Sequence, residues 1–197
     1  MVYTREELAA LYATCQKYGL RLFIDGARLG YGLVSAACDY DLPFLAKHCD
    51  VFYIGGTKVG AMMGEAVVFS GMKAPKYFFT NVKRHGALLA KGRMLGIQFD
   101  TLFTDELYFK ISRHAIAMAT RIRSIFEKHG IAIAYDSPTN QQFVVLSPAL
   151  YEAISQKVAF EIWERKSEHE IICRFVTSWA TKEEELDELD HILQAYA

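Results

Sequence analysis

Two short segments carry the residue types best able to do chemistry, the DGAR run at residues 25–28 and the GGTK run at residues 55–58. The amine of Lys58 could form a Schiff base with a carbonyl compound, a reaction that needs a primary amine. The carboxylate of Asp25 could hold a protonated nitrogen beside it by charge pairing. Each residue alone also has a plainer interpretation. An aspartate after a strand often caps a turn through its own backbone, and a loop lysine is usually solvated.

The surrounding sequence predicts the elements that must position these residues. Helices and strands are expected in the following order: a helix from a Thr4–Glu7 capping box, strands RLFID and VFYIGG, with a helix over residues 42–47 between them, and a strand over residues 66–69. This alternation indicates an α/β fold with a mostly parallel sheet, in which ligands bind at the carboxyl ends of the strands. We therefore expect Asp25 and Lys58 to lie at or just past strand ends. The aromatic residues of these strands fit a sheet core, namely Phe23, Phe52, Tyr53 and Phe69.

The second half of the chain predicts a small α+β domain. Residues 73–128 are expected to be mostly helical, with breaks near Gly86 and Gly92–Gly96 and a long amphipathic helix before Gly130. The expected elements beyond it are the strand FVVL, a helix over residues 149–157, the strands VAFEIW and EIICRFV, and a last helix from a Thr181–Glu184 capping box. We place the boundary in the long helix, so that residues 1–110 are part of a larger domain and residues 111–197 form the small one.

The composition excludes several classes of protein. The chain has 197 residues, 52% of them hydrophobic, and its net charge of −1 argues against nucleic acid or an anionic membrane as a partner. No apolar run reaches the roughly 18 residues of a membrane span, and the N-terminus is not typical of a signal peptide. The four cysteines form no CxxC pair, so free thiols in a cytoplasmic protein are expected. The six histidines show no metal-ligand spacing.

Three strings together resemble the threonine aldolases and the related β-eliminating lyases: FIDGARLGYGL, CDVFYIGGTKVGAMMGEAVVF and CRFVTSW. These are pyridoxal-phosphate (PLP) enzymes of fold type I, and the resemblance covers essentially the whole chain. It implies an incomplete large domain with a mostly parallel sheet, followed by a small C-terminal α+β domain. It also implies a chain that begins partway through the family's sequence.

The resemblance assigns the cofactor to the two segments. Lys58 would carry PLP as a Schiff base, with the hydroxyl of Thr57 before it and two glycines that allow close backbone approach. Asp25 would keep the ring nitrogen of PLP protonated, which strengthens the cofactor as an electron sink. Arg28 would reach the cofactor and the substrate carboxylate, and a structural salt bridge is its plain alternative.

Further residues are implied around the cofactor and the substrate. Arg174 matches the arginine that binds the α-carboxylate of the amino acid, a task suited to a planar guanidinium; an exposed strand arginine is the alternative. Arg93 and His85 lie in a basic segment where the family places a contact to the cofactor phosphate, and Thr57 could donate to the same phosphate. A basic cluster of this kind is also typical of a solvated helix face.

Some parts of a complete PLP site cannot be found in the sequence. Neither a glycine-rich phosphate cradle nor a flat side chain to stack on the pyridine ring is evident, and no general base can be assigned. The family supplies these parts from its N-terminal half. We therefore expect this chain to be either a truncated gene product or one part of a longer protein, and we expect the complete protein to be a homo-oligomer, a dimer or a tetramer.

The resemblance predicts the aldol cleavage of a β-hydroxy-α-amino acid, such as threonine, to glycine and an aldehyde. Three alternatives stay open. The first is PLP-dependent β-elimination, and the second is a catalytically inactive fragment with a structural or partner-binding role. The third is an α/β binding module unrelated to PLP, which the pairing of DGAR with TK argues against.

Overall fold

The structure is a computed structural model that describes residues 2–196. The chain divides into two compact units, residues 2–111 and residues 112 onward. Among the residues described, none of the helices combines the length with the apolar composition that a membrane span needs.

The first unit alternates helices and strands. Its elements are α1 (Arg5–Lys17), β1 (Phe23–Ile24), α2 (Leu29–Leu33), α3 (Leu42–Lys47), β2 (Val51–Gly55), β3 (Glu65–Phe69), α4 (Phe78–Arg84) and α5 (Arg93–Phe103), followed by a 3-10 turn and the first residues of α6 (Leu107–Lys128). The predicted capping box at the start of α1 is confirmed. The Thr4 hydroxyl accepts from the Glu7 N–H at 3.3 Å, and the Glu7 carboxylate accepts from the Thr4 N–H at 2.8 Å.

The strands form a three-stranded sheet in the order β1-β2-β3. β1 pairs with β2 in parallel, as predicted, whereas β3 pairs with β2 in the antiparallel sense. The reversal follows from chain length, because the connection over residues 56–64 is too short for the crossover that a parallel pair requires. β1 is also shorter than predicted, since its ladder contains only Phe23 and Ile24.

The two faces of this sheet differ in burial. Phe52 and Ile54 are buried, whereas Phe23 is 58% exposed and Tyr53 is half-buried. The prediction that Phe23 and Tyr53 belong to the sheet core is therefore wrong. Successive side chains of a strand point to opposite faces, so Tyr53 cannot share the buried face of Phe52 and Ile54.

The second unit is a small α+β domain, as predicted. Its elements after α6 are β4 (Ile133–Tyr135), β5 (Gln141–Leu146), α7 (Pro148–Ser155), β6 (Glu161–Arg165), β7 (Ile171–Val176) and α8 (Glu183–Gln194). The four strands form an antiparallel sheet in the order β4-β5-β7-β6. The core of this unit joins α6 and α8 to one face of the sheet through side chains such as Phe126, Leu146 and Leu189.

Three local predictions are corrected by the structure. α5 continues through Gly96, where a break was expected, and β6 begins at Glu161 rather than at Val158. The last helix is capped one residue later than predicted, because Glu185 accepts from the Lys182 N–H at 3.0 Å. The hydroxyl of Thr181 is already engaged by the turn before the helix, where it accepts from the Ser178 N–H.

Candidate active site

Asp25 directly follows β1 and is held by two hydrogen bonds on one carboxylate oxygen. Oδ1 accepts from the Ala27 N–H at 3.0 Å and from the Tyr53 hydroxyl. The bond to Ala27 is the turn-capping contact of the plainer interpretation. The bond to Tyr53 comes from the neighbouring strand β2 and goes beyond a turn cap.

These contacts set the charge of the pair. The Tyr53 hydroxyl, and after it the Ala27 N–H, hold the pKa of Asp25 below its usual value of 3.8. The positive charges of Lys58 and Arg28 act in the same direction. The hydrogen bond to Asp25 in turn raises the pKa of Tyr53 to about 12. At neutral pH, Asp25 is therefore an ionised carboxylate and Tyr53 a hydrogen-bond donor.

The DGAR turn lies directly against the end of β2. A Cβ added to Gly26 would lie 1.8 Å from the carbonyl oxygen of Tyr53, so no larger residue fits there. The Gly55 N–H donates to the Gly26 carbonyl at 2.9 Å. Tyr108 of α6, 1% exposed, links the two segments again, because its hydroxyl accepts from the Gly30 N–H at 3.0 Å and donates to the Gly55 carbonyl at 3.1 Å.

The backbone of the loop that carries Lys58 is fixed by a carboxylate at its far end. Glu65, the first residue of β3, accepts from the Gly56 N–H at 2.6 Å through Oε2 and from the Thr57 hydroxyl at 3.0 Å through Oε1. The carbonyl of Lys58 accepts from the hydroxyl of Tyr31. The Lys58 side chain is exposed, and within residues 2–196 its amine forms no hydrogen bond or salt bridge. A fixed backbone and an available amine suit a residue that carries a cofactor.

Thr57 and Arg28 occupy this site in ways that the sequence did not specify. The Thr57 hydroxyl donates its single proton to Glu65, so it cannot donate to a phosphate at the same time. Its predicted phosphate contact stays a prediction. Arg28 is half-buried at the start of α2 and forms no salt bridge with any described residue, which argues against the structural alternative.

Arg93 and His85 differ in how the structure places them. Arg93 is the first residue of α5, the helix whose Gln98 side chain accepts from the Met62 N–H of the lysine loop at 2.6 Å. His85 ends α4, where its Nδ1 atom lies 2.8 Å from the Asn81 carbonyl, and no hydrogen bond among the described residues joins it to the lysine loop. Arg93 thus starts a helix that packs on the loop, and the phosphate roles of both residues stay predictions.

Arg174 lies on β7 in the second unit, in a polar and aromatic setting. Its side chain is 19% exposed and forms an ion pair with Glu161 of β6. It donates to the Gln141 side chain at 3.0 Å, and its guanidinium lies 5.2 Å from the ring centroid of Trp163. The alternative of an exposed strand arginine is therefore wrong. The environment shows that this guanidinium binds a carboxylate, and its role toward a substrate stays a prediction.

Sequence reasoning missed the side chains that hold the site in place, namely Tyr53, Glu65, Tyr108 and Gln98. The feature that identifies Tyr53 is strand register. The parallel register Phe23↔Val51 and Ile24↔Phe52 continues to Asp25 and Tyr53. That register depends on strand pairing, which residue periodicity cannot supply.

Comparisons with known proteins identify the family of this chain. The model of the β-eliminating lyase family matches residues 1–149. A low specificity L-threonine aldolase from a Pseudomonas species is 30% identical over 95% of this chain, and one from Pseudomonas aeruginosa is 29% identical over the same share. The chain spans about half the length of these curated relatives, 54% in both cases.

Solved structures show the same relationship. A threonine aldolase from Leishmania major superposes with a TM-score of 0.95 and 36% identity, over 98% of this chain and 57% of that one. A serine palmitoyltransferase from Sphingomonas wittichii has a TM-score of 0.66 at 13% identity, over 95% of this chain and 50% of that one, which shows a shared fold alone. The fold is that of the type I PLP-dependent enzymes. Because the family model covers most of the sequence, the chain belongs to the β-eliminating lyase family.

Proposed function

We propose that the complete protein is a PLP-dependent lyase that cleaves a β-hydroxy-α-amino acid of the threonine type to glycine and an aldehyde. The observation that carries this proposal is the available amine of Lys58 on a fixed loop, together with the ionised carboxylate of Asp25 after the adjacent parallel strand. The likeness to threonine aldolases supports the substrate class.

The residues of the first unit fit the cofactor chemically. Lys58 offers the primary amine that PLP needs for covalent attachment. Oδ2 of Asp25 accepts no hydrogen bond from residues 2–196, so one carboxylate oxygen remains for the protonated ring nitrogen. Gly26 and Gly55 keep the two segments in backbone contact, so that the carboxylate and the lysine loop stay adjacent.

When bound, PLP supplies an electron sink for the pair of electrons freed as a bond at Cα breaks. Asp25 would hold the proton on the ring nitrogen by charge pairing, because its depressed pKa keeps it ionised. Lys58 would hold the cofactor through its primary amine. Cofactor contacts of Arg28, Thr57, Arg93 and His85 are also part of this proposal, and a contact from Thr57 to the phosphate would require its hydroxyl to leave Glu65.

The substrate carboxylate would be bound by Arg174, with Arg28. The Arg174 guanidinium already pairs with one carboxylate, and its Nε atom is buried without a hydrogen-bond partner in the described part of the chain. A substrate carboxylate would bind the guanidinium through charge-assisted hydrogen bonds of the kind that Glu161 makes here.

The domain organisation, the assembly and the location of the protein are also proposals. We propose that residues 1–110 form part of the cofactor-binding domain and that residues 111–197 form the small domain, and the two compact units support this division. We further propose that the protein is a cytoplasmic homo-oligomer. Support for an oligomer comes from exposed apolar side chains in the first unit, namely Met62, Tyr77, Phe79, Leu89, Met94 and Ile97. Light scattering on the purified chain measures its assembly.

The test of cofactor attachment is titration of the chain with PLP, followed by absorbance between about 300 and 500 nm, where lysine-bound PLP absorbs. A visible band should form in the wild type and in Lys91→Ala, an exposed-lysine control, and it should be lost in Lys58→Ala. Borohydride reduction and peptide mapping should then label Lys58 alone. Labelling of another lysine would reject the assignment. The absence of a band in the wild type would mean that this chain alone is not an enzyme.

β-Elimination is the second candidate, and the match to the β-eliminating lyase family model favours it. The two reactions release different products. Glycine and an aldehyde from a threonine substrate indicate aldol cleavage, whereas ammonia and a keto acid from a β-substituted substrate indicate elimination. Product analysis with both substrates therefore separates the two functions.

A further inference from the structure

We propose that Tyr53 is a positioning residue for the cofactor site: its hydroxyl holds the Asp25 carboxylate by Oδ1 and leaves Oδ2 for the cofactor ring. This inference rests on the proposed function for the role of the cofactor. The contact between Tyr53 and Asp25 stands on the structure itself.

Strand register brings the two side chains together. β1 and β2 are parallel, with Phe23 opposite Val51 and Ile24 opposite Phe52. The next positions in this register are Asp25 and Tyr53. Neighbours in register point to the same face of a sheet. Tyr53 therefore reaches Asp25 from a neighbouring strand, whereas Ala27 reaches it from within the turn.

The two hydrogen bonds on Oδ1 come from different parts of the backbone. A turn bond alone leaves a carboxylate able to rotate about its side-chain torsions, because the terminal torsion of aspartate is broad. A second donor on β2 removes that freedom. Among residues 2–196, no donor reaches Oδ2, so the orientation that Tyr53 selects has one oxygen engaged and one available.

Tyr53 is itself held firmly enough for this task. Its carbonyl oxygen lies against Gly26, where there is no room for a Cβ. The residue is half-buried within β2, so its hydroxyl is presented from a paired strand and not from a mobile loop.

The electrostatics of the pair agree with the geometry. The Tyr53 hydroxyl is the foremost cause of the lowered pKa of Asp25, ahead of the charges of Lys58 and Arg28. A purely structural link between the DGAR turn and β2 would duplicate existing ones, since the Gly55 N–H already bonds the Gly26 carbonyl and Tyr108 bridges Gly30 and Gly55. What Tyr53 adds is control of the carboxylate.

The first experiment needs no cofactor. The carboxyl carbon of Asp25 is titrated by carbon-13 NMR in the wild type, in Tyr53→Phe and in Phe23→Leu. Tyr53→Phe removes the hydroxyl and keeps the ring, whereas Phe23→Leu changes a ring contact and keeps the hydrogen bond. We expect the pKa of Asp25 to rise in Tyr53→Phe and to stay at the wild-type value in Phe23→Leu. An unchanged pKa in Tyr53→Phe overturns the proposal.

A reciprocal measurement covers the case in which Tyr53→Phe does not fold. The phenol carbon of Tyr53 is titrated in the wild type and in Asp25→Asn. The pKa of Tyr53, about 12 in the wild type, should fall toward its ordinary value of 10.0 once the carboxylate is removed. A value that does not move overturns the proposal as well.

PLP binding then tests whether Tyr53 positions Asp25 for the cofactor. Loss of a hydrogen bond to a charged group predicts an affinity for PLP about ten-fold weaker in Tyr53→Phe, with Phe23→Leu close to the wild type. Wild-type affinity in Tyr53→Phe would reject the positioning role. Labelling of the wild type away from Lys58 instead rejects the proposed function. If the chain alone does not bind PLP, the NMR titrations decide the proposal through the contact between Tyr53 and Asp25.

Discussion

At the scale of single residues, Asp25 and Arg174 are each held by a side chain on a neighbouring strand, Tyr53 and Glu161 respectively. The hydroxyl of Tyr53 and the N–H of Ala27 both donate to one oxygen of Asp25 and lower the pKa of its carboxyl group. Arg174 is held by Glu161, Gln141 and the ring of Trp163. Both side chains keep hydrogen-bonding capacity unused, and that remaining capacity is what a cofactor or a substrate can use.

The lowered pKa of Asp25 predicts how its contribution to stability depends on pH. The folded-state pKa lies below the ordinary value of 3.8, so the stabilisation is present above that value and is lost as the pH falls through the folded pKa. Urea unfolding of the wild type and of Asp25→Asn should show a stability difference at neutral pH that shrinks in acid. A stability difference that does not change with pH would contradict the lowered pKa of Asp25.

Substitution of Arg174 predicts a defect in substrate binding. In the complete enzyme, Arg174→Ala should raise KM strongly while PLP absorbance is kept, with a loss of about 2–5 kcal/mol, as expected when a charged pair loses one partner. Arg165→Ala, which removes an exposed arginine from the neighbouring strand β6, is the control and should leave KM unchanged. Equal KM values for the two variants would reject the role of Arg174.

At the scale of elements, the site is a junction between the turn after β1 and the loop after β2. The two segments touch through backbone atoms, because Gly26 and Gly55 have no side chains to separate them. Tyr108 of α6 and Glu65 of β3 then fix each side of the junction through hydrogen bonds. The elements thus align a carboxylate and an amine that belong to different strands.

Two glycines of this region predict opposite responses to alanine. Gly26→Ala would place a Cβ 1.8 Å from the Tyr53 carbonyl oxygen, so the junction must open. We expect a loss of about 3 kcal/mol in the free energy of unfolding, the upper range for overpacking. Gly32→Ala in α2 meets no atom within 4 Å and should be neutral or stabilising by up to about 1 kcal/mol. Urea unfolding compares the two, and similar losses would contradict the close contact.

At the scale of the whole molecule, the chain consists of two compact units, and it spans only about half the length of its curated relatives. The second unit has a hydrophobic core of its own, built on α6, α8 and one face of the antiparallel sheet. The first unit keeps large apolar side chains exposed, among them Met62 and Phe79. These exposed apolar side chains are the basis of the homo-oligomer proposed above.

The core of the second unit predicts a large effect from one truncation. Phe126 is fully buried at 0% exposure and packs against Phe175 with 4.8 Å between ring centroids. Phe126→Ala should lower the free energy of unfolding by about 3–5 kcal/mol and speed amide exchange in β5 and β7. Phe79→Ala, at a position 68% exposed in the first unit, should change it by less than about 0.5 kcal/mol. A small loss of unfolding free energy in Phe126→Ala would contradict the close packing of this core.

The amino-acid sequence by itself determined the local features and the family. Periodicity and capping chemistry predict features that depend on residues near one another in the chain. These features are the Thr4–Glu7 cap, the end of α6 before Gly130 and the strands before Asp25 and Lys58. The DGAR and GGTK segments indicated the family because their residue types reflect a specific chemistry. These features need no knowledge of how distant segments pair.

Only the tertiary structure decided which groups surround those residues. Strand register determines three of these contacts: the hydrogen bond from Tyr53 to Asp25, the hydrogen bond from Thr57 to Glu65 and the ion pair of Arg174 with Glu161. The exposure of Phe23 depends on which face of the sheet is covered. Register and coverage result from packing between segments that are distant in sequence, and local periodicity is the same for either outcome.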